Sequence, residues 1–154
     1  MASSAFTADS ATPARLGMNP SGCRPESALI LIVDDDEVIA RMGRDILLHL
    51  GYNAEVTLDA IEALRRFRMH RRDYHLLIAD YGLPRMNGLQ LAERVQSLCP
   101  GLPVILMSGY DCAVSPETRD RCGISAILQK PFTIEEVRKA VNCSLGTWAP
   151  PDQC

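Results

Sequence analysis

The residues that could do chemistry in this chain stand at the ends of short apolar runs. Asp34-Asp35-Asp36-Glu37 follows Ala28–Val33, Asp80 follows Leu76–Ala79, Ser108-Gly109 follows Pro103–Met107, and Lys130-Pro131 follows Ala126–Leu128. They are far apart along the chain, so only a fold that collects strand ends can bring them to one place. Three clustered carboxylates, Asp34, Asp35 and Asp80, cannot all stay ionised without a counter-charge, because each raises the pKa of its neighbours. One divalent cation together with the Lys130 ammonium balances them. Oxygen-only ligands and the need to handle phosphate favour Mg²⁺ over zinc or copper. The pattern points to a magnesium site that accepts a phosphoryl group on a carboxylate.

The elements that must position these groups are legible in the hydrophobic pattern. Ala28–Val33 is continuous and rich in β-branched residues, as in a strand buried on both faces. Ile39, Met42, Ile46 and Leu50 recur at helical spacing, with Gly51 placed to end that helix. Asn53–Thr57 alternates weakly, suiting an edge strand, and Asp59–Met69 reads as a helix before a strand at Leu76–Ala79. Asn87 is placed to cap a helix carrying Leu91, Val95 and Leu98. Pro103–Met107 is the fourth strand, a short helix is expected within Ser115–Arg121, and Ala126–Leu128 is a fifth strand. Thr133 and Glu136 form a capping box ahead of Ile134, Val137 and Val141. Five β–α units predict an α/β fold, a doubly wound parallel sheet with right-handed crossovers. In such a sheet, ligands bind beyond the carboxyl ends of the strands, where the polar residues above fall.

The chain has 154 residues, 47% of them hydrophobic and 23% charged, with a formal net charge of −3. That length supports one domain, expected over residues 28–145, between a Ser/Ala/Pro-rich flexible tail over 1–27 and a short tail over 146–154. Leu145-Gly146 followed by Pro150-Pro151 reads as a helix stop. The near-balanced charge, with pI about 5.6, gives no basic field for nucleic acid. Arg65, Arg66, Arg68, Arg71 and Arg72 are the most basic stretch and read as an exposed helix face and loop. No apolar run approaches the roughly 20 residues of a membrane span, and the start lacks the features of a secretory signal. Six cysteines without metal-ligand spacing are expected to be reduced thiols in a cytoplasmic protein.

Four motifs in order carry a family resemblance: Leu31-Ile32-Val33-Asp34-Asp35-Asp36, Ile78-Ala79-Asp80 through Asn87-Gly88, Pro103 through Ser108-Gly109, and Gln129-Lys130-Pro131-Phe132. Over residues 28–145 the sequence resembles the CheY-like receiver domain of two-component response regulators. The resemblance implies the flavodoxin-like sheet of order 2-1-3-4-5, with Asp80 as phosphoacceptor for a sensor histidine kinase or a histidine phosphotransfer protein. It implies Mg²⁺ held by Asp35 and Asp80, by Asp34 through water, and by the Gly82 carbonyl. It gives Lys130 and Ser108 contacts to the phosphoryl group, Ser108 drawing the following loop inward as the switch, and makes Lys130-Pro131 a cis peptide. The output is either a changed protein-binding surface or onward relay of the phosphoryl group, without turnover of a separate substrate.

Three departures from the family pattern stand out. Ser108 replaces a more frequent Thr, and Ile127 lies where an aromatic ring is common, which puts an aromatic-flip route in doubt. Gly82 and Tyr110 occupy variable positions flanking the phosphoryl group, and Tyr110 is expected to screen it from water. Two other readings compete. Asp34-x-Asp36-x-Val38 also fits the nucleophile motif of haloacid dehalogenase-like phosphatases, but that leaves Asp80 unexplained. The chain could instead be a receiver detached from a hybrid histidine kinase, though an initial Met and a Pro-rich end suit a complete single-domain protein without a DNA-binding module.

Overall fold

The computed structural model describes residues 28–109 and 112–147. The element order is β1 (Leu29–Val33), α1 (Glu37–His49), β2 (Asn53–Thr57), α2 (Ala60–Met69), β3 (Leu76–Asp80), α3 (Gly88–Leu98), β4 (Val104–Ser108), α4 (Pro116–Cys122), β5 (Ile124–Gln129) and α5 (Ile134–Thr147). The five strands form one sheet in the order β2-β1-β3-β4-β5, every pairing parallel.

Parallel strands covered on both faces must be apolar on both, and the central strands β1, β3 and β4 are so along most of their length. Leu31, Val33, Leu77, Ala79 and Leu106 point to a core shared with α2, α3 and Cys122 of α4. Ile30, Ile32, Leu76, Ile78, Ile105 and Met107 point the other way, toward Leu47 of α1 and Val137, Val141 and Leu145 of α5. The period of two along each strand thus assigns helices to faces.

The predicted caps recur in detail. Asn87 accepts from Gln90 N–H at 2.8 Å while the Gln90 side chain accepts from Asn87 N–H at 3.0 Å. Thr133 and Glu136 make the same reciprocal pair. Asp36 is the N-cap of α1, accepting from Val38 and Ile39 N–H, and Gly51 follows that helix at φ 97°. Two expectations shift. The residues of α1 fully buried against the sheet are Ala40, Gly43 and Leu47, while Met42 is exposed and Ile39 and Ile46 are only partly covered. Small residues let the helix approach closely, so Ile39, Ile46 and Leu50 flank the contact, packed against the core but only partly covered. α5 runs through Gly146 to Thr147, where the sequence suggested a stop.

Two arginines of the basic stretch are paired with acids. Arg65 and Arg66 both bond Glu62, and Arg66 also reaches Glu55. Among the described residues, Cys99, Cys112, Cys122 and Cys143 form no disulfide. Among the described residues no helix is long and apolar enough to cross a membrane.

At the amino end of the sheet, Leu29 N–H donates to His75 Nδ1 at 3.0 Å. Burial lowers the His75 pKa below 6.5, and protonation would remove the acceptor that Leu29 uses. The folded chain then binds fewer protons than the unfolded one near that pH, so stability rises with pH there. The contribution is complete above about pH 6.5 and is lost as pH falls toward the folded value. Urea unfolding of the wild type and of His75→Phe at pH 5.0 and 7.5 tests this. The wild type should lose more stability than the variant on acidification, and equal losses would refute the assignment.

Candidate functional site

The strand order sets β1 beside β3, and β4 between β3 and β5, so their carboxyl ends share one edge. Asp34 follows β1, Asp80 ends β3, Ser108 ends β4 and Lys130 follows β5. Register ties these ends together. Asp80 pairs with Met107, Ser108 pairs with Gln129, and Lys130 N–H donates to the Ser108 carbonyl at 2.8 Å.

Asp34 is fully buried, and both of its carboxylate oxygens are engaged. Oδ1 accepts from Asp36 N–H at 2.9 Å, and Oδ2 accepts from Lys130 Nζ at 2.8 Å. The same ammonium lies 2.9 Å from Asp80 Oδ1. The cis Lys130-Pro131 peptide is present. Asp34, Asp35 and Asp80 can each bring one oxygen within 4.8 Å of the others, with Asp35 exposed and the other two buried. Gly82 lies at the remaining Asp80 oxygen, since a Cβ there would stand 3.7 Å from Oδ2. Ser108 is buried at the same edge. Every site residue drawn from the sequence is therefore at one sheet edge, except that Tyr110 lies outside the described residues.

The electrostatics follow from this packing. Burial pushes the Asp34 carboxyl above its usual range, and the Lys130 and Asp36 hydrogen bonds offset this only in part. Burial works against the Lys130 charge too, but its bonds to Asp34 and Asp80 win and hold its pKa above 10.5. One ammonium faces three acids, which leaves a net negative cleft open to solvent at Asp35. Asp80 keeps 12% side-chain exposure where Asp34 keeps 1%. Of the two buried acids, Asp80 is the more accessible.

A family profile described as "Response regulator receiver domain" matches residues 30–142. The chain belongs to that family. As a receiver domain it is 30% identical over 126 residues to the response regulator MprA of Mycobacterium bovis, covering 82% of this chain and 54% of that protein. The chain spans about half the length of the curated relatives it matches. A solved CheY-like receiver from Methanospirillum hungatei is 30% identical with TM-score 0.67, over 77% of this chain and 94% of that one. The chemotaxis response regulator CheY4 of Vibrio cholerae is 27% identical with TM-score 0.66, over 75% of this chain and 96% of that one. The receiver fold and its flavodoxin-like strand order agree with the expectation from the motifs.

Two features of the receiver site were not read from the sequence. Gly88 packs against Asp80 so closely that a Cβ would lie 2.5 Å from its carbonyl oxygen. Arg85, at φ 67°, forms an ion pair with Asp59. Asn87 signalled a helix cap, but close approach of two backbones leaves no mark in one sequence.

Proposed function

We propose that this receiver is a signalling switch in which Asp80 takes a phosphoryl group from the phosphohistidine of a sensor kinase or phosphotransfer protein. An Asp80 carboxylate oxygen attacks phosphorus, the P–N bond breaks, and its electron pair leaves with the imidazole. The product is an aspartyl phosphate. The observation that carries this reading is the inequality between the two buried acids: Asp34 has both oxygens occupied and 1% side-chain exposure, against 12% for Asp80. That geometry also speaks against Asp34 as a phosphatase nucleophile.

The donor set fits Mg²⁺. Three carboxylates and one ammonium leave two negative charges, all the ligand atoms are oxygens, and hard divalent cations prefer such sites. Asp35, Asp80 and the Gly82 carbonyl would hold the ion, with Asp34 acting through water. When bound, it neutralises charge spread over the transferring phosphoryl oxygens. Lys130 supplies a second positive charge to those oxygens, already oriented by its bond to Asp34. Ser108 hydrogen-bonds the new phosphoryl group, and the loop after β4 follows it, changing a protein-binding surface. The chain acts in the cytoplasm, relays or displays the phosphoryl group, and turns over no separate substrate.

The deciding experiment is phosphorylation of the pure protein with acetyl phosphate and Mg²⁺, followed by mapping of the acyl phosphate by borohydride reduction and mass spectrometry. Modification at Asp80 is expected, dependent on the metal. Modification at Asp34, or none at all, would reject the reading.

A further inference from the structure

The loop between β3 and α3 is anchored in the core at two points, Leu83 and Met86, both nearly fully buried. Between them Arg85 is exposed and adopts φ 67°, the only positive φ of a residue other than glycine among the described residues. Glycine or asparagine would hold that conformation at less cost, and an arginine there calls for a reason beyond the turn. Its side chain supplies one. Arg85 Nη2 donates to Asp59 Oδ1, the same oxygen that accepts Ile61 N–H as the N-cap of α2. Asp59 follows β2 and Arg85 follows β3, and the sheet places β1 between them. The ion pair therefore joins the loops after both neighbours of the strand that delivers Asp34 and Asp35. It fastens the loop that contains Gly82, whose α-carbon faces the free oxygen of Asp80.

We infer that Arg85 and Asp59 form a latch that positions the β3–α3 loop, and with it the Gly82 carbonyl, for the cation. This rests on the ion site proposed above. Arg85 is a positioning residue: it acts through the loop and touches neither the acids nor the phosphoryl group. Because Arg85 is largely exposed and Asp59 partly so, the coupling is that of a surface pair, roughly a three- to fivefold change in affinity.

The two components of Arg85, strained backbone and fastened side chain, can be pulled apart. Arg85→Gly relieves the positive φ and removes the latch. Asp59→Asn keeps a good N-cap for α2 and removes the charge. Mg²⁺ affinity by calorimetry and the thermal midpoint without metal are measured for the wild type, both single variants, the double variant and Arg85→Lys. The expected result is a Kd for Mg²⁺ raised about three- to fivefold in each single variant, no further loss in the double variant, and partial recovery with Lys. The metal-free midpoint of Arg85→Gly should be unchanged or higher, which a purely structural loss would not give. If the wild type binds Mg²⁺ and Arg85→Gly binds it equally well, or weakens only in step with a lowered metal-free midpoint, the latch is refuted alone. A wild type that binds no Mg²⁺ refutes the ion site and the latch together.

Discussion

Replacing Lys130 by Met is expected to destabilise the metal-free protein by about 3 kcal/mol at pH 7.5, the lower end of the range for breaking a buried charge pair. The lower end applies because the lysine side chain retains 19% exposure and Asp80 12%. Met preserves most of the stem volume, so the loss is electrostatic rather than a cavity. Without the ammonium, Asp34 and Asp80 face each other with no cation between them, and Asp34 is already raised by burial. Its folded pKa then rises further, since the hydrogen bond and charge that had lowered it are gone. A carboxyl whose folded pKa lies above its unfolded one holds an extra proton between the two values. The stability of Lys130→Met must therefore fall as pH rises from about 4 through the neutral range, and fall further than that of the wild type, whose Asp34 is raised less. Urea unfolding at pH 5.0 and 7.5 reads this directly: the gap between the two proteins should widen at the higher pH. Millimolar Mg²⁺ should then narrow it, because the cleft without the ammonium is more negative, binds the cation more tightly and gains more from its mass action than the wild type. A gap independent of both pH and Mg²⁺ would show that Lys130 does not neutralise this cleft.

The parts of this site that sequence could show are those that depend on residue type and order. Asp34, Asp35, Asp80, Ser108 and Lys130 each follow an apolar run, and a parallel sheet has one edge where such residues collect. The strands were legible because burial on both faces removes polar residues from Leu29–Val33 and Leu76–Ala79. What failed depends on distance of approach. Ile39 and Ile46 of α1 and Leu50 just after it do pack on the core, but the helix's fully buried Ala40 and Gly43 carry little hydrophobic signal, though they are what lets the helix lie close to Ile32. The α5 end was set early because Gly146 reads as a stop, yet the helix passes through it at an exposed position. Arg85 looked like any loop arginine until its partner, 26 residues earlier, was beside it.

Gly88→Ala is expected to damage the site even more than the fold. The added Cβ would stand 2.5 Å from the Asp80 carbonyl oxygen, 3.1 Å from its carbonyl carbon and 2.9 Å from Leu106 Cδ1. Leu106 could turn, but it is fully buried, and the Asp80 backbone is the end of a central strand. Something must move by about an ångström, and the free element is the start of α3, whose Gly88 N–H bonds the Tyr81 carbonyl at 3.0 Å. We expect a loss of about 2–3 kcal/mol, typical of overpacking in a core. The site should suffer more than the fold, because the same displacement reaches Asp80 and the loop carrying Gly82. Phosphoryl transfer depends on in-line positioning, and an ångström of misplacement costs on the order of 100-fold. Acetyl phosphate uptake per folded molecule should therefore drop at least about tenfold. Gly146→Ala is the matched control. Its Cβ meets nothing within 4 Å, so replacing a glycine inside α5 should stabilise by roughly 0.5–1 kcal/mol and leave uptake unchanged. Equal behaviour of the two variants would mean that contact between α3 and the end of β3 does not set the geometry of Asp80.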